Sequence, residues 1–173
     1  MLNCHYKINS GSFFITNNKG NKSVIELKEI TEDNFYDVIE LKVNDAQEAS
    51  KFVAPNVKSI AECWLYRKNE DVFPYAVYSG DDVVGFLLLD LDVEEREYMI
   101  WRMMVDEKHQ GRGHGREIVE AVIEMGRDDK DYDVLIADYV EGNTQMKYLL
   151  ESLGFKRTGF DEENNEVLMK LDI

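Results

Sequence analysis

The sequence predicts a mixed α/β domain in which helices flank a single sheet. Apolar residues recur at a helical period in several segments and in short alternating or unbroken runs in others, which separates helices from strands. The two kinds of run interleave along the chain in the order β-α-α-β-β-β-α-β-α-β, the pattern of a sheet with helices packed on it. Length and composition agree: 173 residues suit one domain, and 44% hydrophobic with 32% charged residues is an ordinary globular balance.

Residues 1–23 are polar, rich in Asn, Ser, Gly and Lys, and carry no period. They read as a loosely ordered N-terminal extension, with the domain proper over 24–173. Val24–Ile30 reads as a short strand. Thr31 is expected to cap a helix in which Phe35, Val38, Ile39 and Val43 recur at helical spacing. A second helix is expected after Pro55-Asn56, carrying Ile60, Trp64 and Leu65.

Tyr75–Tyr78 and Val83–Leu89 read as strands joined by the turn Ser79-Gly80-Asp81-Asp82. The second is apolar on both faces, which predicts a central strand. After an acidic connection comes the strand Tyr98–Val105. A long amphipathic helix follows the glycines at 111–115, with Ile118, Val119, Val122, Ile123 and Met125 inward. A strand at Val134–Ala137, a helix at Thr144–Leu153 closed by Gly154, and a strand around Glu166–Leu171 complete the set.

Charge narrows the partners. The chain has 20 Lys+Arg against 35 Asp+Glu, a net charge of −15. That field repels phosphate backbones and anionic bilayers, so no nucleic acid and no membrane are expected. It attracts cations, polyamines among them, although surplus acidity also serves solubility alone. Cys4 and Cys63 lie far apart without a metal-type spacing and read as reduced thiols of a cytoplasmic protein. No stretch approaches the roughly 18 apolar residues of a spanning helix. His109 and His114 lack a third ligand, so no metal site is expected.

The informative segment is Met103-Met104-Val105-Asp106-Glu107-Lys108-His109-Gln110-Gly111-Arg112-Gly113-His114-Gly115-Arg116, a strand running through a glycine loop into a helix. Alternating glycines let the backbone turn tightly and approach a ligand. The helix start offers unpaired N–H groups and the positive end of the dipole. Lys108, Arg112 and Arg116 form a basic island in an acidic chain, as a pyrophosphate requires.

Gln110-Gly111-Arg112-Gly113-His114-Gly115 resembles the Q/R-x-x-G-x-G/A signature of the GNAT N-acetyltransferase superfamily, and the element order over 24–173 is similar to that superfamily's. Phe52-Val53-Ala54-Pro55-Asn56, Val84-Gly85-Phe86, Trp101–Asp106, Gly142-Asn143 and Leu153-Gly154-Phe155 look like bacterial spermine/spermidine-type members. The resemblance implies a mostly antiparallel, splayed sheet. The strands ending near Val105 and starting near Val134 would diverge around the pantetheine arm of acetyl-CoA, the co-substrate. Met103, Met104 and Val105 would pair with that arm like an added strand. Gln110, Gly111, Arg112, Gly113, His114, Gly115 and Arg116 would take the pyrophosphate, and Asn143, capping the next helix, would help position the arm.

The catalytic groups are less plainly written. Where many relatives carry a tyrosine acid, four residues before Gly154-Phe155, this chain has Leu150. Tyr148 lies about 200° away on a helix of about 3.6 residues per turn, so it faces away from the apolar stripe. Tyr148 is the candidate acid and Glu97, sharing a strand face with Met99 and Trp101, the candidate base. Glu62 and Trp64 on the second helix, with Trp101, are candidates for a cationic amine.

The expected reaction is direct attack by a primary amine of a small molecule on the acetyl thioester in a ternary complex. Two alternatives stay open: a non-catalytic acyl-CoA sensor, and an acetyltransferase acting on a protein or peptide amine. A homodimer is the assembly considered.

Overall fold

A computed structural model describes the strand Ser12–Phe14 and residues 25–173. The elements are β1 (Ser12–Phe14), β2 (Ile25–Glu29), α1 (Phe35–Glu40), α2 (Asp45–Ala49), α3 (Asn56–Tyr66), β3 (Val72–Ser79), β4 (Asp82–Asp92) and β5 (Glu97–Val105). They continue with α4 (His114–Asp128), β6 (Val134–Ile136), β7 (Tyr139–Val140), α5 (Thr144–Ser152), β8 (Lys156–Asp161) and β9 (Glu166–Asp172). The strands make one sheet in the order β1-β2-β3-β4-β5-β6-β9-β7, with β8 on β9. Within the stretch read as an extension, Ser12–Phe14 pairs with Glu26–Lys28; the remainder of 1–23, Cys4 included, lies outside the described residues.

Strand β4 explains the two-layered packing. Leu87, Leu89 and Leu91 point to one face, where α4 lays Ile118, Val119, Val122 and Ile123 against them. Phe86 and Leu88 point to the other, under Val38 of α1 and Ile60 and Cys63 of α3. Both faces of β4 are therefore buried, and it sits between β3 and β5 as a strand apolar on both sides should. Each fully buried side chain of this size contributes about 1.5–3 kcal/mol. Gly85 lets β4 and β5 approach: a Cβ there would lie 2.5 Å from the Met104 carbonyl oxygen.

The expected bounds of the first helix are corrected. Thr31 does not cap α1. Asn34 takes the N-cap position, its side chain bridging the Thr31 N–H and the Glu29 carbonyl, and Val43 falls beyond the helix end. The short helix α2 and strand β8 carry too few periodic apolar positions to stand out. In β5 the register slips opposite Leu88 and Leu89, which pair with Arg102 and Ile100, so Trp101 is the extra residue of a bulge.

All ladders are antiparallel among the described strands except one. β5 and β6 pair in parallel over only Glu97–Met99 and Val134–Ile136, after which β5 runs on to Val105 without a neighbour on that side. The sheet is splayed at this point, leaving a wedge beside Met103–Val105. No helix among the described residues is long and apolar enough to cross a membrane.

Candidate active site

The lower wall of the wedge is the glycine loop. Asp106 follows β5, its carboxylate accepting from the Lys42 and Lys108 N–H groups at 3.1 and 3.2 Å and lying 3.2 Å from His109 Nδ1. Gly111 and Gly113 then take φ of 75° and 97°, values that need glycine, and α4 starts at His114. A Cβ built on either glycine would meet nothing within 4 Å, so the space before the helix start is open. Such a loop, with free helix N–H groups behind it, fits a pyrophosphate.

A cavity of about 290 Å³ opens here. Every residue expected to hold the cofactor lines it except Arg112, which turns aside to donate to the Lys108 carbonyl. Arg116 is held by Ser152 of α5 and by Glu120. His114 is buried, with Nδ1 3.0 Å from the Glu117 carboxylate. Asn143 caps α5, accepting from the Met146 N–H at 3.1 Å.

A second, wider cavity of about 630 Å³ adjoins the first and shares Phe52, Val53, Met103, Asn143 and Met146 with it. Its walls carry Trp101, three carboxylates (Asp138, Asp161 and Glu166) and the cations Lys51 and Arg102. Asp138 stands in the gap between β6 and β7, where its Oδ1 accepts from the Met169 N–H at 2.9 Å. Burial raises its carboxyl above the ordinary range; the Met169 hydrogen bond and Lys170 oppose this, while Asp161 and Glu97 add to it. Burial also raises Glu166, and Asp138 and Asp161 raise it further. Asp161 moves the opposite way, since the Asn164 side chain and backbone N–H stabilise its charged form.

The other catalytic and substrate candidates lie elsewhere. Glu97 shares its face with Met99 and Trp101 as expected, yet its carboxylate is paired with Lys170 and lines neither cavity. Glu62 is paired with Arg102 and lies 3.7 Å from Lys58, so its charge is already matched. Trp64 is 68% exposed beneath the Arg67 guanidinium, 3.8 Å from its ring centre, and lines neither cavity. Of the substrate candidates only Trp101 lines the wider cavity. Tyr148 is 69% exposed and lines neither cavity, whereas Leu150 is fully buried in the core.

Asp138, Asp161 and Glu166 are the cavity-lining acids that sequence reasoning missed. A signal existed for Asp138, a lone acid interrupting the apolar run Val134–Val140. Cys63 offers no nucleophile: burial pushes its thiol up to about 11, and it lines neither cavity.

Comparison with known proteins agrees with this geometry. The model of the GNAT acetyltransferase family matches residues 26–155. The chain belongs to that family. This GNAT protein is 26% identical over 155 residues to the spermine/spermidine N(1)-acetyltransferase of Bacillus subtilis (strain 168), covering 84% of this chain and 96% of the relative. Among solved structures it resembles a Bacillus subtilis acetyltransferase in complex with CoA, at 23% identity and TM-score 0.61, covering 86% and 97% of the two chains. It also resembles the Vibrio cholerae spermidine N-acetyltransferase in complex with CoA and spermine, at 12% identity and TM-score 0.65, covering 86% and 94%. The GNAT chain is accordingly an acetyl-CoA-dependent N-acetyltransferase.

Proposed function

We propose that this GNAT enzyme acetylates a primary amine of a polyamine, with Asp138 as the general base. The observation that carries the reading is the pair of joined cavities, one floored by the glycine loop and the other bearing three carboxylates. The net charge of −15 and the similarity to a spermine/spermidine acetyltransferase support a polycationic acceptor.

Acetyl-CoA supplies the activated acetyl group as a thioester. The glycine loop and the first turn of α4 would hold its pyrophosphate, and Asn143 with the open edge of Met103–Val105 would orient the arm. Trp101 and the carboxylate wall then bring the acceptor amine through the junction at Met103 and Met146. The ammonium gives a proton to Asp138, whose raised affinity for protons suits it to the task. The free amine nitrogen forms its bond to the acetyl carbon as the carbon–sulfur bond breaks, and the second proton that the nitrogen sheds in becoming an amide passes to water.

No side chain is assigned to protonate the departing sulfur, since Leu150 is core and Tyr148 faces solvent. A thiolate with a parent pKa of about 8.5 leaves without an obligatory acid. Much of the rate then comes from positioning.

The test is CoA release at fixed acetyl-CoA with spermine, spermidine, a simple monoamine, a neutral amine and an N-terminal peptide. Spermine or spermidine should give the highest kcat/KM, and Gly113→Leu should abolish CoA binding in calorimetry. Preference for the peptide or the neutral amine overturns the polyamine reading. Absence of turnover with every amine, despite CoA binding, also overturns the polyamine reading.

A further inference from the structure

One segment borders both cavities and has no part in the reaction described above. Val43 and Gln47 line the narrower cavity, Lys51 and Ala54 the wider one, and Phe52 and Val53 both. The side-chain amide of Gln110 holds this segment in place. Its Nε2 donates to the Val105 carbonyl at 3.0 Å, at the end of β5, and to Gln47 Oε1 at 2.8 Å. Its Oε1 accepts from Asn44 Nδ2 at 3.0 Å. Both N–H groups of the amide and its oxygen are thus engaged.

The path continues through α2. Asn44 caps the helix by accepting from the Gln47 N–H at 3.0 Å, and the Gln47 carbonyl accepts from the Phe52 N–H at 3.2 Å. Hydrogen bonds therefore link Val105, Gln110, Gln47 and Phe52, running from the open strand edge to the wall that the cavities share. A side branch joins Gln47 Nε2 to Gln145 Oε1 of α5 at 3.3 Å.

We propose that Gln47 is a positioning residue: bound to Gln110, it carries the occupancy of the narrower cavity to Phe52 and Val53 and so sets how the acceptor fits the wider one. This rests on reading the narrower cavity as the acetyl-CoA site. An arm laid along Met103–Val105 would run beside Gln110, which lines the same cavity and is bonded to the Val105 carbonyl, and a glutamine pair would transmit that contact because its donors and acceptor are directional. Any such coupling is reciprocal, so acceptor binding tightens CoA by the same factor that CoA tightens the acceptor.

The test needs no knowledge of the acceptor. Trp64→Phe leaves Trp101 as the sole tryptophan of a chain that has two, and Trp101 lines only the wider cavity. Calorimetry first establishes CoA binding and the saturating concentration for each variant; failure at that step counts against the site assignment, separately from the coupling. At saturation, acrylamide quenching of Trp101 should fall clearly in the Trp64→Phe parent. Adding Gln47→Ala, which keeps a good helix former in α2, should remove the response. Adding Gln145→Ala instead should retain it, because the branch to α5 lies off the path. A parent without a response, an undiminished response in Gln47→Ala, or a response lost in Gln145→Ala overturns the proposal.

Discussion

Asp161 and Glu166 stand directly opposite each other across the β8–β9 pair, so one hairpin sets two carboxylates on the wall of the wider cavity. Like charges in directly opposed positions destabilise a sheet, and burial adds to the strain at Glu166. A bound polycation relieves both. Glu166→Gln should therefore raise KM for spermine about tenfold, roughly 1.4 kcal/mol, while KM for acetyl-CoA stays near its original value. The wild-type kcat/KM should fall as salt rises, since screening acts beyond about 10 Å at 0.1 M ionic strength. An unchanged spermine KM in the variant would remove this hairpin from the acceptor site.

Asp138→Asn removes the proton acceptor while keeping the side chain's size and its capacity to accept from Met169. The expected loss in kcat is about 10²–10⁴-fold, with CoA affinity intact by calorimetry. The raised Asp138 carboxyl should also appear as a rise in wild-type kcat with pH, above the ordinary carboxylate range, that the variant lacks. A variant within about threefold of wild type would exclude Asp138 as base, because general-base losses are far larger.

Tyr148→Phe should change kcat by less than about threefold, well short of the loss expected for a general acid. Leu150→Tyr should not create an acid, because position 150 lies in the core with Tyr139 and Phe155 and lines neither cavity. It should instead cost about 1–3 kcal/mol by overpacking, read as a lower Tm. A hundredfold loss in well-folded Tyr148→Phe would contradict the placement of that ring in solvent.

Asp90→Asn should stabilise the protein at neutral pH. Burial raises the Asp90 carboxyl, and Asp71 and Asp92 raise it further; Asp71 Oδ1 is itself buried without a hydrogen-bond partner. A carboxyl with a higher pKa folded than unfolded opposes folding above the folded pKa. That penalty fades as pH falls through the folded value toward the unfolded one, about 3.9. The Tm gain of the variant should thus be largest near pH 7.5 and shrink on acidification. A gain that grows at lower pH would reverse the assigned sign.

Some parts of this molecule were legible because the residue type is dictated locally. Gly111 and Gly113 hold φ values that other residues rarely adopt, so their spacing announced the loop. β4 was legible because burial on both faces demands an unbroken apolar run. Leu150 followed from the stripe Met146, Leu149, Leu150 and Leu153. The carboxylate wall was not legible, because Asp138, Asp161 and Glu166 come together only through strand pairing. Glu97 and Glu62 misled for the complementary reason: strand and helix position made them candidates, and partners distant in sequence, Lys170 and Arg102, had already neutralised them.

The short β5–β6 ladder has a consequence for how this enzyme can change over generations. Beyond three paired residues the wedge is bounded by strand backbone, and every non-proline residue brings the same N–H and C=O groups to it. A cofactor arm laid there would be insulated from most side-chain drift along β5. The facing wall is made of side chains, so single substitutions at 138, 161 or 166 retune it without disturbing the other half. One inheritance can then stay fixed while the other diversifies. A shared fold at 12% identity, as with the Vibrio cholerae enzyme, is what such a division allows.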